Sequence, residues 1–178
     1  MINEFSASGN FRFGYTHGKK FLHEFLEESA KKSNWIDIAT FSLNLSHLSD
    51  GSIGKKLIDL RTEEAAAGKD INVRIVCGEA KNLQQVHEEI PMEGLEATLS
   101  FIGEYTLHAK VYQLKHGTYD LNHCKMILSE ELAYIGSLNF GPSASYESGV
   151  IIENNQTIKK IRANIFEDLI KKAGIPLA

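Results

Sequence analysis

The feature that most constrains this chain is an alternation of patterns in its first half. Residues 35–42, Trp-Ile-Asp-Ile-Ala-Thr-Phe-Ser, are β-branched and aromatic enough for a strand, and Ile71, Val73, Ile75 and Val76 give residues 71–77 the same character. Between them a helix is predicted over 53–67, closed by Gly68 at a position suited to a left-handed C-cap. Strand, helix and strand joined by short links predict a parallel pair with a helical crossover. Upstream, Phe21, Leu22, Phe25 and Leu26 recur at helical spacing, which predicts a helix over 19–32 that stops at Ser33-Asn34. Downstream, a short helix is predicted near 81–89, then strands over 95–101, 107–114, 124–128, 132–137 and 149–153. Ile158, Ile161, Ile165, Leu169 and Ile170 predict a closing amphipathic helix from 155 to about 173. The expected fold class is α/β: one domain, with a mixed, largely parallel β-sheet flanked by helices on both faces. At 178 residues and 43% apolar, the chain has the size of one compact domain with a sizeable core.

Composition excludes several function classes. A formal charge of -4 gives no global positive field, so any phosphate-binding surface must be local. Cys77 and Cys124 are too few for a disulfide scaffold and lack zinc-ligand spacing, so they are expected to be reduced thiols. His17, His23, His47, His87 and His116 show no metal spacing and are expected to be solvated, with a place near a site as the lesser alternative for His17 after Gly14-Tyr15-Thr16; neither a metal nor another cofactor is expected. No apolar run approaches the roughly 20 residues that span a bilayer, and Met1 to Phe5 resemble no signal peptide. The expected compartment is the cytoplasm, with no membrane partner.

The chemistry sits in the second half. His108 and Lys110 lie two apart on a predicted strand, so an imidazole and an ammonium project from one face. Ser137 and Asn139 end another apolar strand with a hydroxyl and an amide, again two apart. Glu147 begins a further strand, where a carboxylate is placed to hold a histidine in one tautomer.

These residues, His108-Ala109-Lys110, then Gly136-Ser137-Leu138-Asn139, then Glu147 before an apolar strand, resemble the H-x-K, G-S-x-N and Glu signature of the phospholipase D superfamily. The resemblance runs from about Lys19 to Glu153 and is nearest to small bacterial single-motif nucleases. It implies a phospholipase D-like fold and a metal-independent phosphodiesterase. His108 would attack phosphorus to form a phosphohistidine, or protonate the leaving alkoxide in the other subunit's copy. Lys110 and Asn139 would hold the non-bridging oxygens, Ser137 would add a hydroxyl contact, and Glu147 would orient the imidazole. Because the chain supplies one set where the chemistry uses two histidines, the resemblance also implies a homodimer around one shared site.

A second H-x-K, His123-Cys124-Lys125, stays open as the alternative. Spacing to Gly136-Ser137 favours His123 and Lys125, whereas distance from Gly94 and the phrase Leu-His-Ala-Lys-Val-Tyr favour His108 and Lys110, which are preferred. The Asp that follows H-x-K in the family is absent, with Lys115 in its place, and Glu153 is a second candidate for the orienting carboxylate. Nucleic acid, DNA or RNA, is the expected substrate, bound mainly through phosphates. A lipid phosphodiester is the alternative substrate, an inactive nucleic-acid- or protein-binding module the alternative class, and a larger defence or repair assembly a further partner left open.

Overall fold

A computed structural model describes residues 5–44, 53–81, 98–100, 106–114, 123–138 and 146–173. The predicted helix at 81–89, most of the predicted strand at 95–101, and Asn139 lie outside them. The described strands are β1 (Phe5–Ser8), β2 (Phe11–His17), β3 (Trp35–Asn44), β4 (Asn72–Lys81), β5 (Thr98–Ser100), β6 (Thr106–Gln113), β7 (Met126–Leu128), β8 (Ala133–Gly136) and β9 (Tyr146–Ile152). The helices are α1 (Gly18–Lys32), α2 (Ile53–Ala66), α3 (Asn155–Ile161) and α4 (Glu167–Ala173), the last two joined by a π-helical turn, Arg162–Phe166.

The strands form one sheet in the order β1-β2-β9-β8-β7-β3-β4-β6-β5. The predicted crossover is present, since β3 and β4 pair in parallel around α2, and β6 adds in parallel to β4. The other six pairings are antiparallel, so the expectation of a largely parallel sheet is corrected. Short links are the reason: Leu128 and Ala133 face each other across a tight connection, where Ser129 Oγ donates to the Leu132 carbonyl at 2.8 Å, and no crossover fits there.

Helices cover both faces. Phe21 and Phe25 of α1 pack on the Tyr134 ring, with centroids 4.8 and 6.2 Å away, and Ile36, Ile38 and Ile75 of the sheet are buried. On the other face Ile158, Phe166 and Ala173 of the C-terminal helix pack with Ala39, Val76, Met126, Leu128 and Ala133. The alternation of β3, with Ile36 and Ile38 to one side and Asp37 and Ala39 to the other, sets this two-layer division.

An ion network anchors the C-terminal helix. Asp37 is fully buried and is held by Arg74 through Nε and Nη2 (2.8 and 2.6 Å) and by Arg162 Nε (2.7 Å). Arg74 also reaches Glu167 at 2.7 Å and lies over the Phe166 ring, while the Arg162 guanidinium sits 3.8 Å from the Trp35 ring centroid. Burial works against the Arg74 charge, but the bonds to Asp37 and Glu167 outweigh it and raise its pKa. The bond from Arg74 lowers the pKa of Glu167 in turn. The π-helical turn widens the helix by one residue, which allows Arg162, Phe166 and Glu167 all to face this network.

Candidate active site

Register across the sheet locates each candidate. Lys110 lies opposite Arg74, Arg74 opposite Asp37, Asp37 opposite Leu128, and Leu128 opposite Ala133. His108, two residues earlier on β6, is therefore level with Asn72 and Trp35, the first residues of β4 and β3. By contrast His123 and Lys125 precede β7, whose first residue Met126 faces Ala39, and the His123 ring stacks on Phe41. Those two levels are six residues apart along β3, about 20 Å of extended chain. Sideways, β6 is three strands from β7 and four from β8, about 14 and 19 Å at the usual inter-strand spacing.

His108 and Lys110 are thus at the opposite end of the sheet from Ser137 and Glu147, whereas His123 and Lys125 lie at the same end as those two residues. The physical reason is that convergence depends on strand order. A motif two strands earlier in sequence pairs with β4, whereas the antiparallel hairpin of β7 and β8 brings the second H-x-K beside Gly136-Ser137. The Gly136 N–H donates to the Lys125 carbonyl at 3.0 Å, so the two motifs touch through their backbones.

The hairpin ends in a tight polar corner. Ser137 Oγ donates to Glu147 Oε2 at 2.6 Å and accepts from the Ser148 N–H at 3.1 Å, while the Ser137 N–H donates to the Ser148 carbonyl at 3.0 Å. Ser137 and Glu147 are therefore brought together, and the carboxylate holds the hydroxyl. Glu153, the other candidate carboxylate, is at the far end of β9 in an ion pair with Arg12 at 3.0 Å. His17 ends β2 opposite Tyr146, and Thr16 faces Glu147, so the backbone of β2 closes this same end of the sheet.

Tyr134 explains the glycine of the G-S pair, a link that the sequence reading missed. Its buried ring crosses both Gly136 and Gly149, and its hydroxyl donates to the Ser148 carbonyl at 3.2 Å. A Cβ on Gly136 would collide with Tyr134 Oη and the Ser148 carbonyl oxygen, and one on Gly149 with the same ring. Burial pushes the Tyr134 hydroxyl up to about 12, so it stays a neutral donor. Small residues two apart from an aromatic on a strand were the available signal.

At the mouth of the hairpin His123 is exposed and Lys125 is half-buried. The Phe41 and His123 rings are stacked, with centroids 4.6 Å apart and planes at 21°. Lys125 Nζ donates to the His123 carbonyl at 2.8 Å and lies 5.7 Å from the centroid of the Phe41 ring. An imidazole, an ammonium, a hydroxyl and a carboxylate therefore occupy one end of three adjacent strands. Such a set can bind a phosphate and exchange a proton with it.

Cys77 is a buried free thiol pushed up to about 12 by burial, and burial also raises Cys124, so neither is primed as a nucleophile. Among the described residues no three His, Cys, Asp or Glu gather as metal ligands, and no helix is long and apolar enough to cross a membrane. A cavity of about 450 Å³ beside Trp35, Lys159 and Arg162 opens at the Asp37 end of the sheet, away from His123.

The family described as cardiolipin synthase, PLD-like domain, matches residues 26–170, a span that includes β3 to β9 and most of the C-terminal helix. Among solved structures, TrmBL2, an archaeal chromatin protein whose structure is described as showing a novel mode of DNA binding, is 15% identical with a TM-score of 0.46. That likeness covers 90% of this chain and 53% of the other, so this chain spans about half of it. No curated protein sequence matches the chain closely.

Proposed function

Since this chain belongs to the phospholipase D superfamily through its phospholipase D-like domain, we propose that it is a metal-independent phosphodiesterase acting on nucleic acid, with His123 as nucleophile. The observation that carries this reading is the 3.0 Å bond from the Gly136 N–H to the Lys125 carbonyl, which sets His123-Cys124-Lys125 against Gly136-Ser137.

In the proposed reaction an imidazole nitrogen of His123 attacks phosphorus, and the bond from phosphorus to the leaving oxygen breaks. The matching histidine of a second copy gives its proton to that oxygen. Water then attacks the phosphohistidine and gives a proton to the second imidazole. The phosphorus–nitrogen bond breaks, and both histidines return to their starting forms. Lys125 and Asn139 would hold the non-bridging oxygens, and Ser137 would add a hydroxyl contact. Glu147 would fix that hydroxyl through Oε2 and orient the imidazole through Oε1. A homodimer around one shared site follows from the need for two histidines. No metal is required when two lysines and two asparagines supply charge and donors.

Nucleic acid is the proposed substrate because the described groups at the site are polar and accessible, which suits a phosphodiester flanked by sugars. With a net charge of -4, binding would rest on local contacts and weaken steeply with salt. The cardiolipin synthase description of the matched family favours a second reading, a lipid phosphodiester.

The test is cleavage of single- and double-stranded DNA, RNA and phosphatidylglycerol vesicles in EDTA, with trapped phosphohistidine located by mass spectrometry. Label on His123, and loss of cleavage by at least about 10⁴-fold in His123→Ala with His108→Ala within about twofold of wild type, is the expected result. DNA binding without cleavage or label would instead make the chain a binding module. Cleavage of vesicles alone would select the lipid reading.

A further inference from the structure

We propose that Phe41 is a positioning residue for His123 and Lys125, an inference that rests on the reading of that site given above. Phe41 stands near the end of β3, one residue beyond Thr40, whose backbone pairs with Cys77 in the middle of the sheet. Its ring is therefore carried by a strand that is hydrogen-bonded to β4 on one side and β7 on the other, although the ring itself is only half-buried. His123 has no such support: it precedes β7 and is exposed. An exposed histidine has a broad second side-chain torsion, so its ring plane is poorly defined without a contact.

The stack supplies that contact. With centroids 4.6 Å apart and planes at 21°, Phe41 covers one face of the imidazole and fixes its plane. Both ring nitrogens lie in that plane, so their lone pair and proton stay outside the contact. This matters for the proposed chemistry, because attack on phosphorus uses an in-plane lone pair and must be aimed. The hydrogen bond proposed for Glu147 would occupy one ring nitrogen, whereas the stack fixes the ring plane and leaves the attacking nitrogen open.

The same ring serves Lys125. Its ammonium lies 5.7 Å from the Phe41 centroid, within the range where the negative face of an aromatic ring attracts a cation. The bond from Nζ to the His123 carbonyl ties the lysine to the residue that the ring holds. Phe41 thus keeps the nucleophile and one phosphate-binding cation in fixed relation. It also faces the imidazole when that ring becomes cationic on taking a phosphoryl group or a proton, which the π-face favours.

The experiment compares Phe41→Leu and Phe41→Tyr, with bis(p-nitrophenyl) phosphate as the phosphodiester probe and the His123 ring protons observed by NMR. In F41L, kcat should fall about ten- to a hundredfold with KM within about threefold, and F41Y should keep kcat within about threefold of wild type. The His123 ring protons should move downfield in F41L, as they leave the ring current, and hold their place in F41Y. Wild-type kcat in F41L, an effect on KM alone, or unmoved His123 resonances would overturn the proposal. Should F41L fail to fold, Phe41→Met carries the same two readouts. A wild-type protein that cleaves no phosphodiester ends the enzymatic reading by itself, and the ring resonances still decide whether Phe41 holds the imidazole.

Discussion

Strand β3 has charged groups at both ends, and the two ends solve the problem of charge differently. At Asp37 the carboxylate is wholly buried, and two guanidiniums, a second carboxylate and two aromatic rings close around it. At Phe41 the imidazole of His123 is exposed, and its neighbour Lys125 donates to a backbone carbonyl. The first arrangement consumes its hydrogen-bonding capacity within the chain and so stabilises the packing of helix on sheet. The second faces outward, as the proposed binding of a phosphodiester would need.

The contrast is broken or sharpened by variants at each end. The largest effect expected is on catalysis: the loss of about 10⁴-fold in His123→Ala, equivalent to about 5.5 kcal/mol of transition-state stabilisation, should leave stability within about 0.5 kcal/mol. A large fall in its denaturation midpoint would erase the distinction between the two ends. Next, Asp37→Ala should destabilise by about 3–5 kcal/mol in urea unfolding, because it leaves two arginines facing each other without their shared anion. A change below about 1 kcal/mol there would show the network to be ornamental. Gly136→Ala should cost about 1–3 kcal/mol by forcing Tyr134 off its place over the strand, and should lower activity too, since Ser137 moves with the backbone.

The smallest effect is one of pH. The bond from Arg74 lowers the Glu167 pKa from its ordinary 4.5. A carboxylate whose folded pKa is depressed contributes stability that is complete above the unfolded value and is lost as pH falls through the folded one. Wild type should therefore lose stability below about pH 4.5 more steeply than Glu167→Gln, with the two curves converging at the acid end. Parallel curves in acid would mean that Arg74 does not use Glu167 when folded.

Much of this was legible in the residues themselves. The strand, helix and strand at 35–77 were readable because buried strands need β-branched runs and helices need their own period, both local properties. The C-terminal helix was readable for the same reason, though not its π-helical turn, which depends on what Arg162 and Glu167 meet across the gap. Ser137 and Glu147 were both legible as candidates, but the bond between them was not, because it depends on how β8 and β9 pair.

By itself, then, the sequence determined the residue types available at the candidate site, most of the elements that carry them and the family to which the chain belongs. It held two copies of H-x-K that look alike at the level of a strand, His108 with Lys110 and His123 with Lys125. Only the tertiary structure decided between their positions, because β6 enters the sheet beyond β4 while the hairpin of β7 and β8 folds back against β3. Side-chain alternation is written into a strand, but neighbours are assigned by hydrogen bonding to other strands. Two histidines with the same local pattern can therefore end on opposite rims of one sheet.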